Sequence, residues 1–212
     1  EEVRKLSSSV RIKNVKVVIK LSRCLIGRQR DETVEKFLKW AGKRLSKVRT
    51  GTFVEPNYEN GGRVVTHNKI YEVHVVNGKR TRVGLKNGCE IVVQLGKEGG
   101  KSVVKKLCEK VIMEDQEKYL GEILRELNEN YFRVSFNNFR FKRMQTRFGS
   151  CSSKRNINIA FRLLFAPREV FRYVCAHELA HLKEFNHSKR FWALVEEAVA
   201  DYKNQERWLK EN

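Results

Sequence analysis

The segment from Cys175 to Ser188, with the sequence CAHELAHLKEFNHS, decides how the rest of the chain has to fold. His177 and His181 are four residues apart, so on an α-helix both imidazole rings project from one face, one turn apart. At this spacing two neutral imidazoles can hold one zinc ion. Glu178 follows the first histidine, and its carboxylate can reach a water on that zinc as a general base. The segment therefore predicts a helix that carries a metal site.

A third histidine completes the predicted ligand set. His187 lies six residues after His181, and its neighbours Asn186 and Ser188 favour a turn that could bring it back to the metal. Three protein ligands with one open position are typical of a catalytic zinc site, whereas a structural site is closed. Imidazole ligands also suit nickel, cobalt and copper, so these ions stay open as alternatives to zinc.

The residues that flank the motif favour a helix over a chance pattern. An H-E-x-x-H pattern would arise by chance in a chain of this composition with a probability of about one in a hundred. Pro167 precedes a helical apolar pattern and is a favoured helix start. Val170, Val174 and Leu182 give this helix a surface that can be buried.

Beyond the motif, the chain resembles the YgjP-like family of zinc metallopeptidases, relatives of the SprT and WLM groups within the zincins. The resemblance is close from about Val134 to the C-terminus and looser before it. The family usually has tryptophan where this chain has Phe148. The residues that carry the resemblance are RFGSCSS at 147–153, NIAFRLLFAP at 158–167, Tyr173-Val174, the HELAHLKEFNHS run and Phe191-Trp192.

The resemblance implies that the three histidines are zinc ligands and that Glu178 is the base. The spacing of the histidines also fits metzincins, but those enzymes need a glycine where this chain has Glu184. A gluzincin would take its third ligand from a later helix, where Glu196 or Glu197 could be proposed. We favour His187, because it is closer in sequence and because imidazole suits zinc.

The resemblance also implies where the substrate would lie. In zincins an edge strand above the metal helix holds an extended substrate by strand addition. Residues 147–153 and the strand after them would border that cleft. Arg147 or Ser150 could stabilise an oxyanion there. In the alternative interpretation, Gly149 and the serines only make a tight turn, and Arg147 pairs with a carboxylate.

The charge of the chain bears on its partners. Its formal net charge is +19, and its pI is near 9.9. Such an excess favours polyanions, either nucleic acid or a nucleotide, although a well-solvated lysine-rich surface would give the same composition. Between Arg133 and Tyr173 ten basic residues stand against one acidic residue, Glu169. This segment leads into the metal helix and would place the site in a positive field.

Composition also predicts where the protein works. Hydrophobic residues make up 41% of the 212, which is typical of a globular chain. The longest apolar candidate, Ile157 to Ala166, is interrupted by Arg162, so we expect no membrane partner. The sequence opens with Glu1-Glu2 and shows no signal peptide. Five widely spaced cysteines without a C-x-x-C motif predict reduced thiols in a cytoplasmic protein.

Alternation and turn residues predict β structure in the first half. Val10 to Leu21 alternates as a strand or hairpin, and Asp31 to Val48 has helical periodicity with Asp31 as its N-cap. Asn-Gly pairs at residues 77–78 and 87–88 predict tight turns. We expect them to join an antiparallel meander of three strands, Lys69–Val76, Arg80–Leu85 and Cys89–Leu95. His67 and His74, in this region, are expected to be ordinary strand residues.

The second half alternates helices with short strands. Gly96 to Gly100 predicts a linker, and Lys101 to Asn130 a long amphipathic helix that packs beside the metal helix. Short strands are expected within residues 134–141 and 156–161, and Ser188 is expected to cap a further helix. We therefore predict an α+β fold: an N-terminal, mainly antiparallel β domain with one helix, residues 1–96, and a zincin-like catalytic domain, residues 97–212.

Three functions compete. The first is a zinc-dependent, metallopeptidase-like hydrolase of a peptide or protein substrate, in which Glu178 acts as general base on a zinc-activated water. The second uses the same zinc on a phosphoanhydride bond of a nucleotide, with arginines as phosphate clamps. The third is a nucleic-acid-associated, SprT-like protease. A binding protein with a vestigial site is the non-enzymatic version, which the intact Glu178 disfavours.

Overall fold

The structure, a computed structural model, describes residues 2–3, 8–13, 16–22, 24–48, 56–97 and 99–212. The chain forms two compact units, Glu1–Thr52 and Phe53–Asn212. The division therefore differs from the one predicted at residue 96, which lies inside the second unit. The glycines there precede a helix whose buried side shares one hydrophobic core with the preceding sheet.

The first unit contains a small sheet and one helix. The strand order is β1-β3-β2, and β2 and β3 form the antiparallel hairpin that the alternation predicts. Its turn, residues 14 and 15, lies outside the described residues. The helix begins at Gly27, earlier than the predicted Asp31. The elements are β1 (Glu2–Val3), β2 (Ser9–Lys13), β3 (Lys16–Ser22) and α1 (Gly27–Val48).

A four-stranded sheet opens the second unit. Its order is β4-β5-β7-β6. The Asn87-Gly88 turn is confirmed, because both residues have positive φ, 49° and 74°, and join β6 to β7 as an antiparallel hairpin. The strands are β4 (Arg63–Val65), β5 (Ile70–Asn77), β6 (Arg82–Lys86) and β7 (Glu90–Leu95).

The predicted antiparallel meander is wrong. β5 pairs with β7 in parallel, and the residues after Asn77-Gly78 carry the chain to the edge position of β6. Burial explains this order. Tyr71 and Val73 on β5 and Ile91 and Val93 on β7 are fully buried, whereas β6 has no buried residue. The two most apolar strands therefore occupy the centre of the sheet.

The long amphipathic helix is confirmed as α2 (Lys101–Leu127), which continues as a π-helical turn, Asn128–Phe132. Its predicted apolar side is buried and packs against both the four-stranded sheet and the metal helix. At Gly121 a Cβ would lie 2.6 Å from the Phe139 ring, so this glycine permits the close approach of the next strand.

A third sheet, of mixed strand direction, lies between α2 and the C-terminal helices in the sequence. Its order is β8-β10-β9, with β10 parallel to β8 and antiparallel to β9. Every residue of β10 is buried, and β9 is an edge strand. The remaining elements are β8 (Phe139–Lys142), β9 (Gly149–Cys151), β10 (Ile157–Ala160), a 3-10 helix (Phe161–Phe165), α3 (Arg168–Ala180), α4 (Lys189–Ala198) and α5 (Tyr202–Glu211).

The α+β class is thus confirmed. Over the described ranges, no helix has both the length and the apolar character needed to cross a membrane.

Candidate metal centre

Helix α3 carries the first two histidines where the sequence predicts a helix. It begins at Arg168, directly after Pro167, and His181 is its C-terminal cap residue. Most of its residues are buried, including Glu178. His177 and His181 are only half-buried and lie one turn apart, with ring centroids separated by 4.8 Å. The helix therefore holds both imidazoles rigidly at the edge of the core.

The three predicted ligands come together. One ligand atom each from His177, His181 and His187 can be chosen so that all three lie within 4.8 Å of one another. The Nε2 atoms of His187 and His177 are 3.1 Å apart. Two ring nitrogens at that distance face each other favourably only with a proton or a cation between them. The donor set therefore fits a metal ion that prefers imidazole.

The turn after α3 orients the rings of His181 and His187. The Nδ1 atom of His181 lies 3.3 Å from the backbone oxygen of Glu184. Because a carbonyl oxygen can only accept, Nδ1 is the protonated nitrogen and Nε2 stays free to bind metal. Ser188 caps α4 as predicted, since its side chain accepts the Phe191 N–H at 3.3 Å. This cap sets the position of His187, the residue before it.

One aromatic residue supports all three imidazoles. The ring of Phe191 is fully buried, and its centroid lies 4.9, 4.7 and 4.6 Å from those of His177, His181 and His187. The sequence predicts only that Phe191 is on the apolar side of α4. The sequence signal for this role is the position of Phe191, three residues after the N-cap Ser188 and four after His187.

Burial keeps the two histidines of the metal helix, His177 and His181, in the neutral form that binds metals. Desolvation lowers the pKa of His177 to about 3, and repulsion from His181 and His187 adds to the shift. Burial also lowers the pKa of His181. Both rings are therefore neutral at pH 7. The Nδ1 atom of His177 is buried without a hydrogen-bond partner among the described atoms.

Glu178 points from α3 towards the edge strand β9. It is only 5% exposed, and burial raises its pKa to about 8. A Cβ at Gly149 would lie 2.4 Å from Oε1 and 2.7 Å from Cδ of this carboxyl group. No real side chain approaches so closely, so the carboxyl occupies the space that only a glycine leaves open.

Within the described ranges, no strand pairs with the outer edge of β9, so this edge can accept another strand. The Phe148 carbonyl accepts the Ala160 N–H from β10 at 2.8 Å. Inward and outward backbone groups alternate along an antiparallel strand, so the N–H and C=O of Gly149 and Cys151 point away from β10. The free edge thus begins at the glycine that contacts Glu178.

No described hydrogen bond or ion pair joins the side chains of Arg147 and Ser150, the two predicted substrate-binding residues, to the carboxyl group of Glu178. Ser150 is on the opposite face of β9 from Gly149, and its hydroxyl accepts the Asn158 side-chain N–H at 3.1 Å. Arg147 is exposed, and its backbone oxygen lies 3.4 Å from the Arg162 guanidinium. No described carboxylate pairs with the Arg147 side chain.

The alternative ligands stay apart from the cluster. Within the described part of the chain, the three histidines form a metal-ligating group that includes neither Glu196 nor Glu197 of α4. His67 lies between β4 and β5 and packs against Phe171, at a centroid distance of 4.9 Å. His74 is an exposed residue of β5.

Tyr173 is a residue of the site that spacing alone does not single out. It precedes His177 by one helical turn, and their ring centroids are 5.9 Å apart. Tyr173 is 3% exposed and stacks on Tyr202 of α5. Burial raises the pKa of its phenol, which is therefore neutral and able to donate a hydrogen bond at pH 7.

The contact between Gly149 and Glu178 leads to a prediction. In Gly149→Ala the methyl group has to displace the carboxyl group, because the other atoms there belong to a strand backbone. We expect unchanged metal content and a loss of activity on peptides of about tenfold or more, mostly in kcat, from the misplaced carboxyl. Steady-state kinetics together with elemental analysis would check this. Gly84→Ala is the matched control, because nothing lies within 4 Å of a Cβ at that strand position; equal activity in both variants would contradict the prediction.

Comparison with known proteins identifies the family of the chain. The model of the YgjP-like metallopeptidase domain matches residues 7–212. No curated protein sequence matches the chain. Among solved structures, the metallopeptidase zymogen of Pyrococcus abyssi abylysin is similar over 42% of this chain and 90% of its own, at 23% sequence identity and a TM-score of 0.39. Since the family model spans nearly the whole chain, the protein belongs to the YgjP-like metallopeptidase family.

Proposed function

We propose that this protein is a zinc-dependent peptidase in which His177, His181 and His187 bind the metal and Glu178 is the general base. The observation that supports the proposal best is the convergence of three imidazoles at the helix that also carries the buried carboxyl group of Glu178. A zinc ion held there would lower the pKa of a bound water and polarise the scissile carbonyl.

Glu178 has the properties that this role needs. In the metal-free protein its pKa of about 8 leaves the carboxyl largely protonated at pH 7. A nearby divalent cation favours the carboxylate, which can then accept a proton from water. The same group can return that proton to the leaving amine.

The free edge of β9 would position the substrate. A peptide in extended conformation can pair with the outward N–H and C=O groups of Gly149 and Cys151, since strand addition uses only backbone hydrogen bonds. Glu178 also packs against Gly149, because a Cβ built on this glycine would lie 2.4 Å from Oε1 of Glu178. The paired peptide would therefore run past the carboxyl group.

Nucleotide hydrolysis has weaker support, because several arginines of the basic segment are already paired within the fold. Arg143 contacts Glu109 at 2.6 Å. Arg172 makes two hydrogen bonds of 2.9 Å to Glu126. Such pairs leave fewer guanidinium groups for phosphate. Nucleic acid and nucleotides remain predicted partners on charge alone.

Substrate screening after metal exchange tests the proposal. The protein would be stripped with a chelator, reloaded with zinc, nickel or cobalt, and given a mixture of unstructured peptides or nucleoside triphosphates. We expect peptide cleavage that disappears on chelation and returns with zinc. Faster turnover of nucleoside triphosphates than of peptides would favour the phosphoanhydride reaction, and no zinc-dependent hydrolysis of either would contradict both.

A further inference from the structure

A pocket of about 280 Å³ opens beside Glu178, and its mainly apolar lining has no role in the proposed proton transfers. Phe148 and Gly149, where β9 begins, form one wall, and Tyr173 and Val174 of α3 form another. The third wall comes from α5, the last helix of the chain. The pocket therefore adjoins both the carboxyl group and the free strand edge.

The lining of the pocket is mainly apolar. Phe148, Val174 and Leu209 contribute hydrocarbon surface, and Tyr173 contributes its ring. The charged groups on the α5 side neutralise each other, because Lys210 and Glu206 form an ion pair at 2.7 Å. Apart from Glu178, which is the proposed base, the described lining offers a charged ligand group no unpaired partner, so the loss of its hydration would be costly. An apolar group would gain from leaving water.

We propose that this pocket is the subsite for one apolar side chain of the substrate, next to the scissile bond, and that Leu209 helps to set its specificity. The inference rests on the proposed peptidase function. A peptide paired with β9 directs alternate side chains towards opposite faces, so one side chain near Gly149 can enter the pocket. The side chain that enters is apolar and of leucine or phenylalanine size.

Size supports a single side chain as the occupant. Pockets that enclose whole small-molecule ligands generally measure about 300–1,000 Å³. At about 280 Å³, this pocket lies at the small end of that range and has room for one apolar side chain of a longer substrate. Leu209 is half-exposed on α5, so its side chain can be replaced at moderate cost to the fold.

Binding of hydroxamates to the zinc-loaded protein tests the subsite without turnover. A series carrying a methyl, an isobutyl, a benzyl or a carboxyethyl group would be titrated by calorimetry. We expect the isobutyl and benzyl compounds to bind about ten- to a hundredfold more tightly than the methyl compound, and the carboxyethyl compound to gain nothing. Equal affinities across the series, or no binding of any member, would overturn the proposal.

Variants of α5 test whether Leu209 causes the preference for apolar groups. Leu209→Glu should abolish the preference for apolar groups, and Leu209→Ala, which adds no charge, should weaken isobutyl binding several-fold. Asn204→Glu introduces the same charge at an exposed position of α5 outside the pocket and should keep the preference. Unchanged preferences in both Leu209 variants would contradict the subsite. Apolar hydroxamate binding without any peptide hydrolysis would instead keep the subsite and remove the peptidase function.

Discussion

Glu178→Gln is expected to lower kcat for peptide hydrolysis by about 10²- to 10⁴-fold while the protein keeps its metal and its fold. Glutamine has nearly the shape of glutamate, so it can occupy the same space against Gly149, where a Cβ would lie 2.4 Å from Oε1. It cannot accept a proton at neutral pH. The loss should therefore appear in kcat, with KM little changed, because the interaction matters in the transition state.

The controls for this variant separate chemistry from structure. Glu184→Gln changes a carboxylate in the turn after α3, where the backbone oxygen and not the side chain contacts His181. We expect near wild-type activity and metal content from it. The thermal midpoint of metal-free Glu178→Gln should not fall, because the buried carboxyl is already largely neutral at pH 7. Full activity in Glu178→Gln would remove this residue from the mechanism.

The convergence of the three histidines could be predicted from sequence because its determinants are local. Two histidines at helical spacing, a proline at the helix start and a serine cap each act within a few residues. The third histidine follows the same helix after one short turn. Local geometry leaves such a segment few arrangements, and His187 accordingly lies beside His177. The same locality made the amphipathic helix α2 predictable.

The contacts that position Glu178 are not local. Gly149 precedes it by 29 residues, and nothing in the RFGSCSS segment indicates which residue will fill the space above the glycine. The parallel pairing of β5 with β7 was missed for a similar reason. An Asn-Gly pair predicts a turn, but only burial of Val73 and Ile91 in a shared core decides which strands become neighbours.

His187→Ala is expected to lower the affinity for zinc by more than about 100-fold, because loss of an outer-shell partner alone commonly costs 10- to 100-fold. Wild-type protein purified without added metal should contain about one zinc per chain, and the variant almost none. His74→Ala, at an exposed position of β5, is the matched control and should retain zinc.

The His187→Ala variant should lose the stabilisation of the folded state that metal binding provides. A metal that binds only the folded state stabilises it by about 4 kcal/mol at a free concentration 1,000 times its Kd. Added zinc should therefore raise the thermal midpoint of the wild-type protein and of His74→Ala, but hardly that of His187→Ala. A wild-type zinc content in His187→Ala would mean that a group outside the histidine cluster supplies the third ligand. Glu196 and Glu197 on α4 would then have to reach the metal, which requires that helix to move from the position in which Phe191 supports the histidine rings.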